Sequence, residues 1–237
     1  MRKPAPILLL TRPEAASRRF AEAARARFGA AVVPLIAPLI EITFADTRPD
    51  LAGIRGLVFT SENGVAAYLR LEQGRILPAW CVGPRTAEAA RAGGLRAHAA
   101  GGDVAALAEM LAREGVTGPL LHSHGAHRAG DLEGRLAAAG IALRSHPAYA
   151  QEARAPSAEA LAALAGQTPV IAPVFSPRSA RLFRAAFPAP DAPLRLVALS
   201  PAVAEALGPG PVRVAARPDA GAMLDALAEE LVAGSTA

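Results

Sequence analysis

A recurring junction of strand, small or basic residue, proline and helix carries the most chemical content in this sequence. It appears as Thr11-Arg12-Pro13, Gly83-Pro84, Ser176-Pro177, Ser200-Pro201 and Arg217-Pro218, and without proline as Thr60-Ser61-Glu62-Asn63. Proline suits the first helical position, whose N–H has no intrahelical acceptor. Ser, Thr or Gly before it caps the helix, and any one junction taken alone reads first as plain capping. As a set, the junctions gather at the carboxyl edges of parallel strands, where doubly wound folds bind ligands. Each presents unpaired N–H groups and the positive end of a helix dipole, a seat for an anion. One ligand bearing several carboxylates or phosphates could use many such seats together.

His122-x-His124-xx-His127 is a second candidate. Strand alternation puts His122 and His124 on one face, and three imidazoles could ligate zinc. The string is similar to the H-x-H-x-D-H of metallo-β-lactamase-type hydrolases, but Ala126 stands where that pattern has Asp. His98 and His146, the remaining histidines, form no evident second ligand set. Strand-end packing or solvated imidazoles is the simpler reading. Cys81 sits in an apolar strand with no His or Asn close in sequence to activate it, and reads as a buried inert thiol. Tyr149 is either an ordinary strand tyrosine or a phenol that can protonate a departing hydroxyl. Phosphate loops of the Walker type need a lysine beside the final Ser or Thr, and the single lysine here is Lys3. No GxGxxG string occurs.

Composition narrows the partners. The 237 residues include 25 basic and 21 acidic side chains, a net charge of +4, and the sequence pI is about 10.1 because every basic residue but Lys3 is arginine. Arginine's planar fork suits carboxylates and phosphates, although a GC-rich coding genome accounts for the excess equally well. Nucleic acid is not the expected partner: acidic residues are nearly as numerous, and aromatics at 4% give no stacking platform. An apolar fraction of 52% excludes wholesale disorder. One cysteine excludes an intramolecular disulfide and fits a reducing compartment. No apolar run approaches the roughly 20 residues of a membrane span. The run Ile7-Leu10, interrupted by Arg12 and Glu14, is too short for a secretory leader and reads as a first buried strand. The expectation is a cytoplasmic protein.

Short apolar runs alternate with helical patterns along the whole chain, which predicts parallel sheets flanked by helices in an α/β fold. The pattern also repeats. VFTSENGVAAYLR at 58–70 matches VFSPRSARLFRAA at 174–186, and CVGPRTAEAA at 81–90 matches ALSPAVAEAL at 198–207. DVAALAEMLARE at 103–114 matches DAGAMLDALAEE at 219–230, and RFGAAVVPL at 27–35 corresponds to AAGIALRSH at 138–146. Duplication into two similar α/β domains follows. Two proline-bearing extended stretches, Pro38-Ile42 and Pro147-Glu152, could form a hinge, with the block between them inserted into a discontinuous domain. Ligands often sit in the cleft of such a pair.

Several strings then fall in order: Thr11-Arg12-Pro13; the Pro34–Ile42 run PLIAPLIEI; Phe59-Thr60-Ser61-Glu62-Asn63-Gly64-Val65; and Val82-Gly83-Pro84-Arg85-Thr86-Ala87-Glu88-Ala89-Ala90. Gly125, Arg128, Leu132, Leu136 and Gly140 follow, then Tyr149 and Phe175-Ser176-Pro177. In these residues, over its whole length, the chain resembles the uroporphyrinogen-III synthase family. The resemblance implies two flavodoxin-like domains joined by a two-stranded hinge. Residues 1–37 with 152–237 would form one domain, 43–146 the other, and 38–42 with 147–151 the hinge strands. It implies a cofactor-independent hydro-lyase that closes the linear tetrapyrrole hydroxymethylbilane to uroporphyrinogen III in the interdomain cleft, losing water and inverting ring D. Tyr149 would assist hydroxyl departure. Arg12, Thr60, Ser61, Asn63, Gly83, Thr86, Gly125, Arg128, Ser176 and Ser200 would bind the carboxylate arms. A monomer is expected, with transient contact with hydroxymethylbilane synthase and none with nucleic acid or membrane. The second repeat departs from the pattern at Val203, where many members keep a hydroxyl, and the histidines of His122-Ser123-His124 receive no role. Two alternatives stand beside this reading: a metal-dependent hydrolase on His122, His124 and His127, and a non-catalytic two-domain anion-binding protein.

Overall fold

Apolar runs with no alternation are buried on both faces, and in the computed structural model they form parallel strands sandwiched by helices. The structure describes residues 4–72, 76–126 and 130–235. The chain divides into two compact units, residues 1–41 with 152–237 and residues 42–151.

In the first unit the sheet runs β11 (Val212–Val214), β10 (Leu194–Ala198), β9 (Val170–Val174), β1 (Ile7–Leu10), β2 (Val33–Ile36), with every paired neighbour parallel. Alternation along β1 divides its leucines between two cores. Leu8 and Leu10 pack with Phe20, Ala24 and Met223, from α1 (Glu14–Phe28) and α9 (Ala220–Ser235). Leu9 packs with Ala180, Phe183 and Val203, from α7 (Pro177–Ala186) and α8 (Pro201–Leu207). α6 (Ala158–Ala165) joins this second core through Ala160 and Leu164.

The other sheet runs β6 (Arg96–Ala99), β5 (Pro78–Cys81), β4 (Gly56–Phe59), β7 (Leu120–Gly125), β8 (Leu143–Ala153), with β3 (Ile40–Phe44) beyond β8. Leu57 and Phe59 face α2 (Glu62–Leu71) and α3 (Pro84–Ala92), where they meet Val65, Tyr68 and Ala87. Val58 and Trp80 face α4 (Val104–Arg113) and α5 (Leu132–Ala138), where they meet Leu107, Leu111 and Leu136. The stretch expected to be a hinge around Pro147 is continuous with the preceding strand as the 11-residue β8, and a bulge opposite His124/Gly125 shifts its register. Pro147, which has no N–H to give a ladder, lies just before Tyr149, the residue that pairs with Gly125 after the shift.

The sequence repeat equates β9 and α7 with β4 and α2, β10 and α8 with β5 and α3, α9 with α4, and β2 with β8. With that equivalence the two sheets have one spatial order, and the chain enters the first at a different strand. In each, the strand order reverses beside the central strand: at β1/β9 in the first unit and at β4/β7 in the second. Such a switch point opens a crevice at the carboxyl ends of the strands. Among the described residues, no helix is long and apolar enough to cross a membrane.

Candidate active site

The crevice at the β4/β7 switch point holds a cavity of about 860 Å³, within the size range of small-molecule sites. Thr60 and Ser61 follow β4, His122, His124 and Gly125 end β7, and Tyr149 comes from β8; all six line it. Asp103 and Asp131 enter as the N-caps of α4 and α5, where their carboxylates accept the backbone N–H groups of Ala106 and Gly134 at 2.8 and 2.9 Å.

Tyr149 is buried, at 8% exposure. Its hydroxyl lies 2.8 Å from Ser61 Oγ, which also accepts the N–H of Gly64 at 3.1 Å and so caps α2. The ring lies against Gly125: a Cβ there would stand 2.8 Å from Tyr149 Cζ and 2.9 Å from Cε2. Glycine at 125 is therefore a packing requirement of the tyrosine. Gly64 has a similar reason, since its Cβ would meet the Ser123 carbonyl oxygen at 2.4 Å. That absence of a side chain lets α2 approach β7 closely enough for Ser61 to reach Tyr149.

The two strand histidines are packed rather than solvated, at 4% and 6% exposure. Their rings are tilted 41° with centroids 4.7 Å apart. His122 Nε2 lies 3.3 Å from Thr60 Oγ1. His124 Nδ1 donates to the Gly125 carbonyl at 2.7 Å, and its Nε2 is buried with no partner among the described residues. A carbonyl can only accept, so Nδ1 carries the proton and Nε2 is a bare acceptor in the neutral ring. Among the described residues, no group of three His, Cys, Asp or Glu side chains is placed to hold a metal ion. His127, the third member of the sequence string, lies outside the described residues. Cys81 is fully buried, and that burial, partly opposed by Arg91, pushes its thiol up to about 11.

Of the residues singled out from sequence, Thr60, Ser61, Gly125 and Tyr149, with the histidines His122 and His124, come together at this cavity. Asn63 is in the first turn of α2, Gly83 precedes α3 and Thr86 is buried in the first turn of α3; none of the three lines it. Arg128 lies outside the described residues. Arg12, Ser176 and Ser200 belong to the first unit. There, at the β1/β9 switch point, the Arg12 guanidinium stacks 4.2 Å over Phe175, whose ring meets Phe20 edge-on at 5.0 Å. Ser176 caps α7 by accepting the N–H of Ser179 at 3.1 Å, whereas Ser200 precedes α8 without a side-chain cap. The orphan nitrogen of His124 had no counterpart in the sequence reading. Alternation placed the residue on a strand face, but it does not say which acceptor the ring finds, here the carbonyl of the next residue, Gly125.

A family model described as Uroporphyrinogen-III synthase HemD matches residues 19–225. No curated protein matches the chain significantly. Among solved structures, uroporphyrinogen-III synthetase from Helicobacter pylori aligns at 18% identity and a TM-score of 0.68, covering 98% of this chain and 100% of that one. A mutant uroporphyrinogen III synthase from Thermus thermophilus aligns at 17% identity and a TM-score of 0.52, covering 96% and 99%. At such identities the structural likeness speaks for the fold, and the family model speaks for descent over most of the length. The chain belongs to the uroporphyrinogen-III synthase family.

Proposed function

We propose that this protein closes hydroxymethylbilane to uroporphyrinogen III, with loss of water and inversion of ring D, and that the cavity beside Tyr149 takes part in the reaction. Family membership supports the reaction. The observation that supports the place is the Tyr149 phenol, nearly buried at a switch-point cavity and held by a hydrogen bond to Ser61.

The chemistry asks little of the protein beyond a proton and a shape. The terminal C–O bond of the bilane breaks as its hydroxyl takes a proton and departs as water. The azafulvenium left behind is attacked by the substituted carbon of ring D, and the resulting spiro intermediate reopens to the inverted ring. Left alone, the same cation closes at the unsubstituted carbon. A phenol in hydrogen-bond reach of the hydroxyl supplies the proton. Holding the reacting carbons in the less accessible orientation supplies the selectivity, since positioning is worth several kcal/mol. The N-terminal turns of α2 and α4 offer backbone N–H groups suited to the substrate's carboxylates. Thr60 and Gly125 line the cavity beside them, and Arg12, Ser176 and Ser200 provide cationic and helix-terminal contacts in the first unit.

Loss of freshly generated hydroxymethylbilane, timed with and without the protein, tests the proposal. Consumption well above the spontaneous rate is expected; equal rates would refute it.

A further inference from the structure

Hydrogen-bond counting around Ser61 gives its hydroxyl a direction. The oxygen has one proton and two lone pairs. Gly64 N–H occupies one lone pair at 3.1 Å, and Tyr149 Oη at 2.8 Å is the hydroxyl's other partner among the described residues. If the phenol donated, the serine proton would have no acceptor among the described residues and the phenol none left to give. If the serine donates, both of its protein contacts are satisfied, one accepted and one donated. The phenol proton then remains for whatever occupies the cavity that Tyr149 lines. Cap, glycine and strand bulge all serve this alignment. The α2 cap fixes Ser61 Oγ, Gly64 lets the helix approach β7, and Gly125 leaves room for the phenol ring.

We propose that Ser61 is a positioning residue. Its O–H donates to Tyr149 Oη, aims the phenol proton at the departing hydroxyl, and stabilises the phenolate when that proton has gone. The inference rests on the activity proposed above and reassigns Ser61 from holding a carboxylate arm to orienting the acid. No atom is consumed: the phenol O–H bond breaks, the proton leaves with the hydroxyl as water, and the proton released when ring D regains aromaticity restores the phenol.

The test separates capping from donation. Ser61→Thr keeps both the cap and the donor. Ser61→Asp keeps the cap, because a carboxylate accepts the Gly64 N–H, but has no proton to give the phenol. Ser61→Ala loses both. With hydroxymethylbilane as substrate, Ser61→Ala and Ser61→Asp are expected to lower kcat roughly tenfold, about the effect of one hydrogen bond, with KM within twofold. Ser61→Thr is expected to stay within threefold of the parent. In a Tyr149→Phe background, Ser61→Ala should cost no further kcat, because the group it orients is gone. Multiplying losses in that double variant, a wild-type kcat in Ser61→Asp, or an effect confined to KM would each overturn the inference while leaving the activity standing. A wild-type protein that forms no type III isomer above background would overturn both.

Discussion

Gly125→Ala is the perturbation that the geometry around Tyr149 specifies most sharply. An added methyl would lie 2.8 Å from Tyr149 Cζ, 2.9 Å from Cε2 and 3.1 Å from the hydroxyl oxygen. Ordinary carbon–carbon contact begins near 3.5 Å, so the overlap is about half an ångström or more. The atoms met belong to a ring at 8% exposure and not to the end of a flexible chain, so the ring must tilt or β8 must move. A shift of that size lengthens the 2.8 Å contact with Ser61 Oγ out of hydrogen-bond range. Overpacking of this kind costs about 1–3 kcal/mol, and a misplacement approaching 1 Å costs roughly 100-fold in turnover. Two assays are needed. Thermal unfolding should show a modest loss of stability with the fold kept, and steady-state kinetics on hydroxymethylbilane should show kcat lowered by about two orders of magnitude. Removing the phenol oxygen in Gly125→Ala/Tyr149→Phe should recover part of the stability but none of the turnover. Wild-type kcat in Gly125→Ala would show that the phenol's position does not matter to turnover.

Three further outcomes follow from the same geometry. Tyr149→Phe keeps the ring against Gly125 and leaves Ser61 capping α2, so it should lose about 1 kcal/mol of stability but at least 100-fold in kcat, measured by rapid quench; near-normal turnover would remove its role as acid. His146 is held below its ordinary value of 6.5, first by burial and then by its electrostatic interaction with the His124 ring, against an opposing hydrogen bond to the Thr47 backbone. Folding therefore favours its neutral form: the associated stability is present above about 6.5 and is lost as pH falls through the lowered folded value. Melting temperatures at about pH 7.5 and pH 5 should differ less in His146→Asn than in the parent, and an unchanged slope would count against the assignment. Cys81, with its thiol at about 11 and its side chain fully buried, should resist aromatic disulfide reagents at neutral pH until the protein unfolds. Fast labelling of the native protein would contradict that.

The sequence carried the fold in its strands and the site only in part. β1, β4 and β9 are apolar without alternation, so burial on both faces, and hence parallel sheets between helices, could be read directly. The serine-proline junction at α7 likewise formed the cap it announced, because that interaction spans three residues. What escaped was long-range. Tyr149 could be marked as a candidate, but its partner Ser61 is 88 positions away and meets it only because Gly64 lets α2 approach β7. Thr86 stands in a motif that looks suited to binding, yet it is buried in its helix's first turn and does not line the cavity. The His122 and His124 rings were expected as packed or solvated; the packing reading holds, and the orientation that leaves the His124 Nε2 bare is set by a bond to the Gly125 carbonyl that residue types alone do not announce.

Selectivity between two ring closures is what the protein must supply, and the isomer composition of the product reports it. Freshly generated hydroxymethylbilane, incubated with the protein and then oxidised, should give on chromatography the type III isomer in large excess over type I. A mixture with no more type III isomer than the protein-free control would mean that the protein does not direct the closure, whatever the rate at which the bilane disappears.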